Sequence, residues 1–167
     1  MNLNNIPVDI YTSDRDMLQL VSPLTTVRML KNGGNIIDYT YENFGQLFMG
    51  LTPEQITDYK GIAGDSSDNL PGVVGIGPKT AATLLREFKH LENIYENLDK
   101  LPSDKQKEKF NTYKQQALDC KELATIFCNL FESDDINKFT IKQIDKEYLV
   151  NKAKEHNLNM LLKLLEK

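Results

Sequence analysis

A mostly helical fold with a small β portion is what this sequence predicts. Three observations carry the prediction. A short β-branched run alternates near the start, apolar residues recur at helical spacing through most of the remainder, and capping signals mark where helices begin. Hydrophobic residues make up 40% and charged residues 26% of the 167, with 9 glycines and 6 prolines. That composition supplies one domain with a core and is unlike disorder or low complexity.

In chain order, Val8-Asp9-Ile10-Tyr11-Thr12 predicts a strand, and Ser13-Asp14 ahead of Met17, Leu18 and Val21 predicts a capped short helix. Apolar pieces at 27–30 and 36–39 flank Lys31-Asn32-Gly33-Gly34-Asn35, a hairpin signal. Thr52-Pro53-Glu54-Gln55 combines an N-cap, a first-turn proline and a capping-box glutamine, and Ile56, Tyr59 and Ile62 continue the helix. It ends at 61–64, leaving 65–69 room for one more helical turn. Gly75-Ile76-Gly77-Pro78 then makes a tight turn into a helix over 79–88, whose Ala81, Ala82, Leu84, Leu85 and Phe88 form an apolar stripe. Ser103-Asp104-Lys105-Gln106 opens a polar helix, 117–131 predicts a more apolar one, and 141–144 a short strand. A last helix over 148–165 is expected to close the core with Leu158, Leu161, Leu162 and Leu165.

Several chemistries are excluded. No apolar run approaches the ~20 residues of a membrane span, and the first ten residues lack the basic and apolar regions of a secretion signal, so no membrane partner is expected. Cys120 and Cys128 stand eight apart, suiting two reduced thiols on one helix and a cytoplasmic location. The only histidines, His90 and His156, have no second ligand at a metal-type spacing, which removes zinc and histidine triads. Net charge is −4 overall, but 1–68 carry −5 and 69–118 carry +2. A pI of 5.2 argues against gripping nucleic acid mainly by bulk charge while leaving local phosphate contacts open.

The informative stretch runs from Gly61 to Ala82. Gly72, Gly75 and Gly77 let main-chain N–H groups and a helix N-terminus approach a phosphate, and Lys79 and Thr80 in the first turn offer an ammonium and a hydroxyl. Such contacts hold the nucleic-acid backbone and read no base. Taken alone, the same glycines also suit an ordinary helix start. Asp65 and Asp68, three apart, would share one side of a helical turn, and Asp14 and Asp16 follow the first strand, where open α/β sheets place ligands. Paired carboxylates suit a hard divalent cation. Taken in isolation, Asp14 reads more readily as a helix cap, and Asp65 and Asp68 as solvated turn residues.

Taken in order, Asp14-Arg-Asp16-Met-Leu-Gln19 and Gly64-Asp65-Ser-Ser-Asp68-Asn-Leu-Pro71-Gly72-Val-Val-Gly75-Ile-Gly77-Pro-Lys79-Thr80 resemble the 5′-3′ exonuclease and flap endonuclease family, including the nuclease domain of bacterial DNA polymerase I. The resemblance implies the C-terminal half of an α/β PIN-like 5′-nuclease. Residues 1–50 would be the remnant of its α/β core with a β-hairpin, and 51–167 its helical region with a helix-3-turn-helix (helix-hairpin-helix) element. It implies hydrolysis of phosphodiester bonds near DNA 5′ ends and flaps, in replication and repair, with Mg²⁺ or Mn²⁺. Asp14, Asp16, Asp65 and Asp68 match the second metal position. Gly72, Gly75, Gly77, Lys79 and Thr80 match the hairpin that holds duplex DNA, with K⁺ at its turn.

Family members also carry a stretch ahead of the strand at Val8, with the first metal's acidic ligands, the basic residues near the scissile phosphate and most of the parallel sheet. No acidic residue precedes Asp9 here, so no catalytic residue beyond the metal ligands is assigned. The strand at Val8 is expected to have an unpaired edge. The chain is expected to cleave weakly or not at all alone, and three explanations stay open: half of a split enzyme completed by a separate N-terminal nuclease chain, a frame-disrupted remnant, or a fragment that binds DNA without cutting. The other reading is a non-catalytic helix-hairpin-helix module that binds the DNA backbone. A structural adaptor ranks last.

Overall fold

The computed structural model describes residues 5–128, 130, 136–141, 143 and 145–165, in two compact units, Met1–Leu130 and Phe131–Lys167. The first unit opens with a three-stranded sheet of β1 (Val8–Thr12), β2 (Thr25–Leu30) and β3 (Ile36–Tyr39), in that spatial order. β1 runs parallel to β2, with Val8 opposite Thr25 and Thr12 opposite Met29. The connection through a 3-10 turn at Arg15–Leu20 is long enough for that parallel return. β1 is therefore paired along one edge, while its other edge has no partner strand among the described residues. The expected hairpin joins β2 to β3, antiparallel, with Val27 opposite Tyr39.

Six helices follow: α1 (Phe44–Leu47), α2 (Ile56–Ala63), α3 (Pro78–Phe88), α4 (Leu91–Glu96), α5 (Asp104–Thr112) and α6 (Lys114–Ala124). Thr52 and Gln55 close the expected capping box ahead of α2. Buried Gln55 also donates to the carbonyls of Leu85 and Lys89, satisfying the C-terminal end of α3. The α3 stripe of Ala81, Ala82, Leu84, Leu85 and Phe88 is buried, as its spacing predicts. It joins Ile62, Leu91 and Phe110 in one apolar cluster, while Leu18, Val27, Met29, Phe44 and Ile56 form a second against the sheet.

α2 packs tightly on α6, because a Cβ on Gly61 would lie 2.8 Å from the Ala117 carbonyl oxygen. The same pair of helices is tied by a buried carboxylate. Asp58 accepts from the Leu91 N–H at 3.0 Å, capping α4, and pairs with Lys121 Nζ at 2.7 Å and His90 Nδ1 at 3.2 Å.

The first unit departs from expectation at two places. Residues 65–69 form a turn, not a helical one: Asp65 and Leu70 exchange two backbone hydrogen bonds of 2.8 Å. α6 begins at Lys114 and stops at Ala124, so Cys128 lies beyond it, exposed, while Cys120 is buried within it; both thiols are free. The expected end of that helix, Phe131, lies outside the described residues.

The second unit contains a 3-10 turn at Ile136–Phe139, α7 (Lys146–Glu155) and α8 (Asn159–Leu165). The single helix expected over 148–165 is interrupted where Asn157 takes φ 55°, a left-handed conformation that asparagine tolerates. None of Leu158, Leu161, Leu162 and Leu165 is buried, so they do not close a core. Two positions of the expected strand at 141–144, Lys142 and Ile144, lie outside the described residues, and Ile141 and Gln143 are in no strand.

Candidate metal centre and nucleic-acid interface

Two chain segments bring the acidic residues together. β1 ends at Thr12, whose hydroxyl accepts from the Asp14 N–H at 2.9 Å, and Asp14 in turn caps the 3-10 turn by accepting from the Asp16 N–H at 2.9 Å. This directs Asp16 toward the end of α2. There the chain leaves the helix through Gly64, at φ 74°, into the turn that carries Asp65 and Asp68. Asp65 fixes that turn itself, accepting from the backbone N–H of Ser67 at 2.9 Å and from its hydroxyl.

Asp16, Asp65 and Asp68 place one carboxylate oxygen each within 4.8 Å of the others. Asp14 is exposed and outside that group, although it lines the same small pocket with Lys60, Asp65 and Asp68. The structure thus gathers three of the four predicted carboxylates at one point and leaves the fourth at the rim, serving as a helix cap.

Lys60 was not among the predicted residues, yet it sits at the centre. Its Nζ is ion-paired with Asp16, with Asp65 at 2.7 Å and with Asp68 at 3.3 Å, and its side chain is only 6% exposed. The available signal was periodicity: Lys60 is four residues after buried Ile56, which puts a lysine on the inward face of α2. Burial alone would raise the Asp65 pKa, but hydrogen bonds from Lys60 and Ser67 outweigh it and hold the group at about 2. All three donors are hard carboxylate oxygens, and the nest already accommodates a cation in the Lys60 ammonium, so these residues fit a divalent ion that keeps some of its water. A larger cleft of about 880 Å³ adjoins the nest, lined by Lys60 and Asp65 together with Phe48, Tyr59, Arg15 and Lys31.

The hairpin between α2 and α3 is fixed from both sides. Val73 N–H donates to the Ile62 carbonyl at 2.8 Å, and Ile76 N–H to Val73 at 2.9 Å, with both Val73 and Ile76 buried. α6 and α5 brace it as well, through Gln116 donating to the Gly72 carbonyl and Lys109 Nζ donating to Gly75 O at 2.7 Å. Gly72 and Gly75 take positive φ, whereas Gly77 is extended at φ −89° with nothing within 4 Å of where a Cβ would stand. Gly77 is therefore not required for the turn itself. Gly77, Pro78, Lys79 and Thr80 line a shallow depression at the start of α3, where first-turn N–H groups have no intrahelical acceptor.

A family model described as the C-terminal SAM fold of 5′-3′ exonucleases matches residues 51–147. The chain belongs to the 5′-3′ exonuclease family. A 5′-3′ exonuclease of Mycoplasma pneumoniae is 40% identical to this family member over 166 residues, 96% of this chain and 55% of that protein. DNA polymerase I of Bacillus subtilis is 39% identical over 159 residues, 95% of this chain and 18% of the polymerase. This 5′-3′ exonuclease-family chain thus spans about half the length of the Mycoplasma relatives it matches.

Among solved structures, a T5 5′-exonuclease with bound divalent metal ions (zinc) aligns at TM-score 0.61 and 23% identity, over 71% of this chain and 42% of that one. A bacteriophage T5 flap endonuclease variant in a pseudo-enzyme–product complex with DNA and metal ions aligns at 0.61 and 19%, over 96% and 54%. The helical fold with its small sheet is the fold of these nucleases over the matched part.

Proposed function

We propose that this chain supplies one metal position and the duplex-holding hairpin of a divalent-metal-dependent 5′-3′ exonuclease or flap endonuclease acting in DNA replication and repair. The convergence of Asp16, Asp65 and Asp68 at one point, reached from opposite sides of α2, carries the reading. A hairpin that only binds DNA has no need of it.

In this reading Asp16, Asp65 and Asp68 hold Mg²⁺ or Mn²⁺, with Asp14 at the rim of the same pocket. A bound divalent ion of this kind polarises phosphoryl oxygens and helps generate a hydroxide nucleophile. The hairpin residues Gly72, Gly75 and Gly77 admit the sugar-phosphate backbone of a duplex beside a 5′ end or flap, and Lys79 and Thr80 add contacts to its phosphates. Lys109 on Gly75 O marks that carbonyl as an acceptor for positive charge, which supports K⁺ at the hairpin turn.

Residues 1–50 are assigned to the end of the α/β nuclease core and 51–167 to the helical region. All three strands fall within 1–50 and α2 to α8 within 51–167, which supports that division. The edge of β1 that is open among the described residues supports completion of the site by a further part of the nuclease core, which a separate N-terminal nuclease chain would supply. The two free thiols support a reducing, cytoplasmic setting.

Calorimetric titration of the purified chain with Mn²⁺ tests the metal site: saturable binding, lost in Asp65→Asn, is expected. A flap substrate with Mg²⁺ tests the division of labour. Cleavage should be weak or absent with this chain alone and should appear when the front half of the Mycoplasma pneumoniae relative is added. Absence of Mn²⁺ binding to the intact chain would overturn the metal assignment.

A further inference from the structure

The best-buried charge in the carboxylate nest is positive. Lys60 Nζ meets Asp16, Asp65 at 2.7 Å and Asp68 at 3.3 Å, the same three side chains whose oxygens lie within 4.8 Å of one another. Among the described residues no other cationic side chain is ion-paired with any of the three. Three carboxylates gathered so closely repel one another, and the repulsion is strong where water is partly excluded. Before a divalent ion arrives, an ammonium on a nearly buried stem is what offsets it.

Ammonium and divalent ion want the same lone pairs. The three carboxylates that hold Nζ are the same three that would hold a metal, and two cations a few ångströms apart repel. The stem has somewhere to go, because Lys60 lines both the small acidic pocket and the larger cleft beside Tyr59 and Phe48. We propose that Lys60 is a resident counter-ion that holds Asp16, Asp65 and Asp68 together in the metal-free chain and swings out of the nest when a divalent cation binds. Metal affinity is then set in part by the release of Lys60, a coupling between two cations at one site. This inference rests on the metal assignment made under Proposed function and adds a regulator to it.

The test is calorimetry with Mn²⁺ on the full chain and on two variants. Lys60→Met keeps most of the unbranched stem and removes the charge, and should bind Mn²⁺ about tenfold more tightly than the parent, within the usual range of such couplings. Arg15→Met removes an equal charge from the wall of the same pocket without breaking an ion pair to the nest, and should change affinity about twofold or less. Equal gains in both variants, or none in Lys60→Met, would overturn the counter-ion role while leaving the metal assignment in place. Failure of the parent and both variants to bind Mn²⁺ would overturn both. The unsubstituted chain gives a second readout that does not depend on any variant folding. Lysine-ammonium NMR signals from Lys60, protected in the ion-paired nest, should disappear at saturating Mg²⁺, and their persistence would sink the proposal.

Discussion

The main chain at Gly72 lies directly against that at Gly64: a Cβ on Gly72 would stand 2.3 Å from the Gly64 nitrogen, and Gly72 itself sits at φ 61°. Gly64 leads into the turn bearing Asp65 and Asp68, and Gly72 opens the hairpin that leads to Lys79 and Thr80. The carboxylate turn and the glycine hairpin therefore share one backbone crossing, sealed by the Val73 N–H on the Ile62 carbonyl at 2.8 Å. Displacement of either segment displaces both.

Gly72→Ala should accordingly destabilise the chain by about 3 kcal/mol, the sum of left-handed strain and a clash with backbone that cannot yield. Urea denaturation measures the loss. Mn²⁺ affinity and DNA affinity should fall together in this variant. Loss of one with full retention of the other would separate what the crossing joins.

Asp58 makes a second sharp case. Its side chain is 2% exposed and is satisfied by the Leu91 N–H, Lys121 and His90. Asp58→Ala strands the start of α4 and takes one of two carboxylates from Lys121, which keeps Glu92 at 2.7 Å, a change expected to cost about 1–3 kcal/mol. Asp58→Asn keeps an oxygen for Leu91 and should cost less. Denaturation midpoints of the two variants check the order, and equal losses would assign the whole effect to the ion pair.

Asp65 sets a pH dependence whose sign is fixed. Its folded pKa of about 2 lies below the ordinary carboxylate value of 3.8. The folded state thus favours the ionised form, and the associated stability is fully present above about pH 5 and is lost as pH falls toward 2. Denaturation of the parent and Asp65→Asn between pH 7 and pH 2 checks this: the stability gap between them should be widest near neutrality and shrink in acid. A gap that widened on acidification would reverse the assignment.

How much of this was legible in the sequence depends on how local each signal is. β1, α2 and α3 were readable because their caps and spacing lie within the segments, as with Thr52-Pro53-Glu54-Gln55. The end of α6 was not, because it is set from far away: Gln19 donates to the Ala124 carbonyl at 2.9 Å and accepts from the Ile126 N–H at 2.9 Å, across more than a hundred residues. A side chain near the start of the chain thus terminates a helix whose own apolar pattern continues. The acid set was legible as residues in a familiar order, but its geometry was not. The turn at 65–70 is a bridged loop, and Asp14 spends its carboxylate on the Asp16 N–H. Lys60 is not legible as a site residue, because a lysine within an apolar stripe reads as a solvated interruption and its partners, one of them 44 residues away, are set by the tertiary fold.

Gly77 separates folding from recognition at the hairpin. Its φ of −89° is open to any residue, and a Cβ there would meet nothing within 4 Å, so the fold does not demand glycine. It is also the N-cap of α3, where valine is a poor choice, and Gly77→Val should cost about 1 kcal/mol of stability. The added side chain would nevertheless stand over the shallow depression shared with Lys79 and Thr80, directly in the path of a phosphate approaching the first-turn N–H groups. Duplex DNA affinity, read by fluorescence anisotropy at fixed salt, should therefore drop about tenfold or more, well beyond what the stability change accounts for. Lys79→Ala should weaken binding less and lower its salt dependence by about one counterion. A Gly77→Val chain that is folded and binds duplex as the parent does would remove the hairpin from the DNA interface, and the empty space over Gly77 would need another occupant.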